Sequence, residues 1–212
     1  MLFGADENQY AFSRLCAKLI ENLYGVKFMR IITGSARGCK LKTPKGMSTR
    51  PTSDRVKESL FSILGSEVLG KGILDIFAGT GGLGLEALSR GGVSACFVDK
   101  TTADIIRYNA EHTRLKDLSD IIRGDVFAVL DRLANQGRKF DIVFCDPPYH
   151  LGLWEKALIR LDRGDLLNDG ALVIVEQGGD ENTLPEVSRL KLLRNQRYGK
   201  TTQINIFEYS AE

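Results

Sequence analysis

Cysteine, histidine, proline and long apolar runs are all scarce in this chain. Its 212 residues include four cysteines (Cys16, Cys39, Cys96, Cys145) without paired spacing and two histidines, His112 and His150. They make no recognisable zinc pattern, which argues against a structural metal. A disulfide framework is equally unsupported, so a reduced, cytoplasmic protein is expected. No apolar run approaches the ~20 residues of a membrane span. The N-terminus also lacks the basic start, apolar stretch and small-residue cleavage site of a signal peptide. What remains, 43% hydrophobic and 26% charged residues, is an ordinary globular mixture. The length fits one good-sized domain with a small appendage.

The formal charge of +2 is unevenly placed. Eight Lys/Arg stand against Asp54 alone between Arg30 and Lys57, giving that window +7. The residues before it balance, so residues 58–212 carry −5. A basic module beside a mildly acidic one suggests a polyanionic partner such as nucleic acid. The other reading is a solvated basic hairpin.

Three regions follow from hydrophobic periodicity. In residues 1–28, Phe12, Leu15, Cys16, Leu19, Ile20 and Leu23 recur at helical spacing, predicting one amphipathic helix of no assigned chemistry. In residues 29–64, Arg30 to Thr33 and Cys39 to Thr43 flank a glycine-bearing loop, predicting a β-hairpin. A loop with Pro44, Gly46 and Pro51 follows, and Thr52, Ser53 or Asp54 can cap a helix running to Leu64. Residues 65–212 alternate strands and helices. Strands are expected at Ile73–Phe77, Ser94–Val98, Asp120–Arg123, Phe140–Cys145 and Ala171–Val175. The helices between them run from the glycine turn through Leu88, from Thr102 to Leu115, from Val126 to Leu133 and from Trp154 to Leu161. Such alternation argues an α/β, doubly wound, mostly parallel sheet with right-handed crossovers. Leu190–Arg197 and Thr202–Tyr209 flank Tyr198-Gly199-Lys200 and predict a terminal antiparallel hairpin.

Two of the five prolines are adjacent, in Asp146-Pro147-Pro148-Tyr149. Neither has an N–H, so the chain must leave the sheet there. A carboxylate, a bare carbonyl and an aromatic ring then gather at the C-terminal edge of a strand, where open parallel sheets bind ligands. An aromatic amino nitrogen is a poor nucleophile because its lone pair is delocalised into the ring. Acceptors placed out of the ring plane, the Asp146 carboxylate and the Pro147 carbonyl, can draw it toward tetrahedral geometry. Tyr149 can stack on the ring, which must be unstacked or flipped to arrive. Cys145 reads as a small core residue.

The second motif is Asp75-Ile76-Phe77-Ala78-Gly79-Thr80-Gly81-Gly82-Leu83-Gly84. Gly79, Gly81 and Gly84 have G-x-G-x-x-G spacing between a strand and a helix. Asp99 ends the next strand, where a carboxylate can bind ribose hydroxyls. The pattern admits a dinucleotide or S-adenosylmethionine. Asp75 favours the second, because a carboxylate suits a cationic amino group and sits badly against a pyrophosphate. Asp125 ends the third strand and can accept from an adenine amino group, cap the following helix, or do both.

At these residues the sequence resembles the class I S-adenosylmethionine-dependent methyltransferases. More closely it is similar to the RsmD family, the 16S rRNA (guanine-N2)-methyltransferases. The glycine turn through Glu86-Ala87-Leu88-Ser89-Arg90-Gly91 and Asp-Pro-Pro-Tyr are shared widely among amino-group methyltransferases. The stretches Arg30-Ile31-Ile32 through Leu41 and Arg50-Pro51-Thr52-Ser53-Asp54-Arg55 through Phe61 carry the narrower match. The resemblance spans residue 29 to the end. It implies a seven-stranded sheet with a small N-terminal hairpin, S-adenosyl-L-methionine as cofactor, and a guanine of 16S rRNA in the assembled or late-assembling small subunit as target. It places Asp75, Phe77, Gly79, Gly81, Asp99 and Asp125 in the cofactor site, and Asp146, Pro147 and Tyr149 in the catalytic motif. Arg37, Arg50, Arg55 and Lys57 are expected to contact rRNA or orient the loop over the cofactor. A monomer without metal or membrane contact is expected. The competing readings are a DNA adenine or cytosine amino methyltransferase, a methyltransferase for protein glutamine, and a cofactor-binding RNA module without turnover.

Overall fold

The computed structural model describes residues 29–44, 54–181 and 183–211. The expected helix within residues 1–28, Arg50, and the cap candidates Thr52 and Ser53 lie outside them.

Seven strands form one sheet: β1 (Gly72–Ile76), β2 (Ser94–Asp99), β3 (Ser119–Arg123), β4 (Phe140–Cys145), β5 (Leu167–Gly178), β6 (Leu190–Tyr198) and β7 (Thr202–Tyr209). Among the described residues five α-helices accompany them: α1 (Asp54–Leu64), α2 (Gly82–Ser89), α3 (Ala103–His112), α4 (Val126–Asn135) and α5 (Leu153–Arg163). The strand order is β3-β2-β1-β4-β5-β7-β6. The first five strands are parallel, whereas β5–β7 and β7–β6 are antiparallel. The chain winds outward from β1 in one direction and, from β4, in the other. The carboxyl ends of β1 and β4 therefore flank a topological switch point.

Alternation along the strands divides the core. Ile73, Phe97, Ile142, Phe144 and Ile174 join one apolar layer with Leu60 and Phe61 of α1, Leu85 of α2 and Ile106 of α3. Leu74, Val98, Val143 and Val175 join the other with Leu130 of α4 and Trp154 and Leu158 of α5. Strands buried on both faces read as near-continuous apolar runs, which is why they are visible in the sequence.

Two expectations about strand length are corrected. β5 extends past the predicted Ala171–Val175 at both ends: β7 pairs with it as far as Gly178, and Leu167 pairs with Phe140 of β4. The N-terminal hairpin is shorter than predicted, a single antiparallel bridge between Arg30 and Lys40. Its ladder stops because the N–H groups of Ile32 and Thr33 donate instead to the Glu86 carboxylate, at 2.7 and 3.0 Å. The loop then lies on the end of α2: Ser35 N–H donates to the Ser89 carbonyl and Ala36 N–H to Ser89 Oγ. Gly34 makes this approach possible, since a Cβ there would sit 1.7 Å from the Ser89 carbonyl oxygen.

Candidate active site

The turn after β1 is built by its own backbone. Phe77, Gly79 and Gly81 all have positive φ (58°, 56° and 77°). Glycine adopts that region freely, whereas for Phe77 it is strained backbone of the kind concentrated at ligand sites. Gly81 N–H donates to the Ala78 carbonyl at 2.7 Å and Ala78 N–H to the Val98 carbonyl of β2. Gly84 opens α2 where a Cβ would lie 2.4 Å from the Phe97 ring, so the helix packs directly on β2.

Two carboxylates brace the turn. Asp75 is buried and one of its oxygens accepts Gly84 N–H at 2.9 Å. Burial pushes its pKa up to about 8, with the Gly84 bond opposing the rise and the nearby Asp99 adding to it. Asp99 accepts Gly79 N–H at 3.0 Å and the N–H groups of Thr101 and Thr102 at 2.8 and 2.9 Å. Burial alone would raise Asp99, but these donors outweigh it and hold the group below the ordinary carboxylate range.

β4 delivers the proline motif to the same edge. Asp146, Pro147 and Tyr149 line one cavity with Asp75, Phe77, Gly79, Asp99 and Asp125, and its volume is about 680 Å³. That size suits a cofactor and a flat substrate ring. Asp125 also caps α4, its Oδ1 accepting from Phe127 and Ala128. The Phe77 and Phe127 rings stand edge to face, 6.3 Å apart, and give this end of the cavity an apolar wall. Cys145 is buried and burial raises its thiol well above the ordinary value, which fits a core residue.

Not every expected residue reaches the wall. Gly81 shapes the turn from behind it, against Leu85, Phe97 and Ile106. Arg37 and Arg55 are exposed on the outer surface. Lys57 lines the cavity but is corrected as a phosphate contact, being 2% exposed. Its Nζ donates to the Arg30 carbonyl at 2.5 Å and pairs with the fully buried Glu86 at 3.4 Å. Burial lowers its basicity, partly offset by Glu86. Lys57 thus acts from inside, tying the hairpin to α2.

Sequence reasoning missed Glu176 on β5. It is 8% exposed, lines the cavity, and accepts the Tyr149 hydroxyl at 2.7 Å. Burial, followed by the Glu176 charge, pushes the Tyr149 hydroxyl upward, so it stays protonated and donating. A charged residue directly after the apolar run Ala171–Val175 was the available signal. It missed Met29 as well, which lines the cavity while its sulfur accepts the Thr80 hydroxyl.

The cavity wall carries Asp75, Asp99, Asp125, Asp146 and Glu176 against Lys57 and Lys100. An acidic cradle beside glycine backbone suits a cationic nucleoside and opposes a pyrophosphate. Among the described residues no cluster of side chains could hold a metal ion, and no helix is long and apolar enough to cross a membrane.

Comparison with known proteins gives a consistent answer. The family model described as Conserved hypothetical protein 95 matches residues 29–207. Ribosomal RNA small subunit methyltransferase D of Escherichia coli K12 is 35% identical over 188 residues, covering 87% of this chain and 91% of that protein. The protein of the same name from Haemophilus influenzae is 38% identical over 156 residues, covering 72% and 80%. The solved structure of yhhF from Escherichia coli superposes with a TM-score of 0.75 at 34% identity, over 88% of this chain and 100% of that one. The seven-stranded, doubly wound sheet is that of the class I methyltransferases. The chain therefore belongs to the Conserved hypothetical protein 95 family, the RsmD family of methyltransferases.

Proposed function

We propose that this protein transfers a methyl group from S-adenosyl-L-methionine to the exocyclic N2 amino group of one guanine in 16S rRNA of the small ribosomal subunit. One observation carries the reading: Asp146, Pro147 and Tyr149 share a single acidic cavity with the glycine turn and its bracing carboxylates. The curated relatives named as small-subunit rRNA methyltransferases, matched over most of their length, support the substrate class.

When bound, the cofactor supplies an electrophilic methyl group on sulfur, so the protein's task is alignment and electrostatics. Asp75 and the Gly79 backbone hold its cationic amino-acid end. Asp99 meets the ribose, and Phe77, Asp125 and Phe127 meet the adenine. Tyr149 stacks on the guanine while Asp146 and the Pro147 carbonyl accept its amino hydrogens and bring the nitrogen lone pair forward. Asp146 takes the released proton or passes it to water. Residues 29–64 form a basic cover, on which Arg37 and Arg55 contact rRNA phosphate, and residues 65–212 form the methyltransferase domain. We read the protein as a monomer acting in the cytoplasm on the assembled or late-assembling subunit.

Small subunits from cells lacking the protein, incubated with it and labelled methyl donor, should gain one label at a guanine amino group. Digestion and mass mapping of the rRNA would locate it. Label on adenine or cytosine, or none, would overturn the proposal.

A further inference from the structure

Glu176 stands where the proline motif acquires a second carboxylate. In the parallel register of β4 and β5, Cys145 lies opposite Val175. Asp146 is the first residue after β4, and Glu176 is the next residue on β5. Val175 belongs to one apolar layer, so alternation turns Glu176 to the opposite face of β5. Both line the cavity, and the residues just before them, Cys145 and Val175, are paired across the ladder. The Tyr149 hydroxyl holds the Glu176 carboxylate beside the ring that would stack on the base.

The three amino-bearing bases differ at the ring atom beside the amino group. In guanine one of the two flanking nitrogens, N1, carries hydrogen. In adenine the flanking nitrogen is N1 with a lone pair, and in cytosine it is N3 with a lone pair. An ionised carboxylate only accepts hydrogen bonds, and it has room for more than one donor. We propose that Glu176 accepts the guanine N1–H while Asp146 and the Pro147 carbonyl take the N2 hydrogens, making Glu176 the residue that selects guanine. Adenine or cytosine presented in the same pose would set a lone pair against the Glu176 carboxylate. The proposal rests on the guanine reading above and adds the group that enforces it. Tyr149 then has a second task, orienting Glu176.

The test uses small subunits reconstituted with 16S rRNA bearing an analogue at the mapped target. 2-Aminopurine keeps the amino group but has a lone pair at N1, and 6-thioguanine keeps N1–H. The unaltered protein should methylate 2-aminopurine roughly 100-fold more slowly than guanine, since a site built to accept a hydrogen rejects an analogue lacking it. It should methylate 6-thioguanine nearly as well as guanine. Glu176→Gln, whose amide can also donate, should bind cofactor within about twofold of the unaltered protein and shrink the guanine preference to within roughly tenfold. Tyr149→Phe, which removes the hydrogen bond that orients Glu176, should lower that preference to a value between those of the unaltered protein and Glu176→Gln. Equal rates on guanine and 2-aminopurine with the unaltered protein would overturn the inference while leaving guanine methylation standing, and this arm does not depend on any variant folding. Glu176→Gln with the preference intact would overturn it too. Absence of label on guanine itself would overturn both readings.

Discussion

The sheet and the hairpin packed beside it share an apolar layer but differ in how their backbones are held. β1 to β5 are joined by parallel ladders and enclosed between two apolar layers to which many residues contribute. The hairpin has one bridge; Ile31, Ala36 and Leu41 enter one of those layers, and the buried side chains of Glu86, Ser89 and Asn109 bind its backbone. Glu86 accepts from Ile32 and Thr33 while pairing with Lys57 and Arg90. Asn109 accepts Lys42 N–H at 2.8 Å and donates to the Thr80 carbonyl of the glycine turn at 2.9 Å. Chemistry therefore sits on a redundantly held frame, and the backbone of its cover hangs on a few points that each matter.

The largest effect should come from breaking the cover. Glu86→Ala strands the Lys57 ammonium in a buried site, and loss of one partner of a buried pair costs about 3–5 kcal/mol. Urea unfolding should register it, and an unchanged midpoint would show that the hairpin does not depend on Glu86. Asp146→Ala probes the frame instead. Stability and cofactor affinity should hold, while methyl transfer to small subunits falls roughly 100- to 1000-fold.

Paired glycine variants sharpen the contrast within the hairpin. Gly34→Ala puts a Cβ 1.7 Å from the Ser89 carbonyl at φ 88°. Gly38→Ala has nearly the same φ, 84°, but meets nothing within 4 Å. The first should cost about 2–3 kcal/mol and the second about 1 kcal/mol, the backbone strain alone. Equal losses in thermal unfolding would mean that the hairpin is not pressed against α2.

Asp75 makes the frame respond to pH. Its folded value of about 8 lies above the ordinary 3.8, so the protonated form is the one the fold favours. That contribution is fully present below pH ~4 and is lost as pH rises through about 8, at up to about 1.4 kcal/mol per unit. Asp75→Asn should flatten this slope. A cationic ligand beside Asp75 favours the ionised form, so cofactor binding at pH 7 should release protons, measurable by calorimetry in buffers of different ionisation enthalpy. The smallest effects belong to the exposed Arg37 and Arg55. Replacing either with alanine should weaken subunit binding a few-fold and lower the salt dependence by roughly one phosphate contact. An unchanged salt slope would remove that residue from the RNA surface.

The proline motif and the glycine turn were legible because their physics is local. Pro147 and Pro148 must end β4 wherever it lies, and the turn after β1 needs φ values that glycine allows freely. Lys57 was expected to contact rRNA or orient the loop over the cofactor; its burial was not legible because it depends on Glu86, 29 positions later in the chain, whose own burial no periodicity announces. Glu176 was missed because it matters only beside Asp146, thirty positions earlier, and the β4–β5 register alone makes them neighbours. The hairpin was drawn too long because alternation cannot reveal that a side chain from α2 competes for its N–H groups.

By itself the sequence determined the alternation of strands and helices, the parallel sheet and its antiparallel end, and the two motifs at its edge. Each rests on side-chain period or on the covalent chemistry of glycine and proline, and neither needs a distant partner. Only the tertiary structure decided which carboxylates face the cavity, which lysine is buried, and which carboxylate the Tyr149 hydroxyl meets. Those outcomes depend on strand register and on buried charges finding one another across the fold, and both exist only once the sheet has formed.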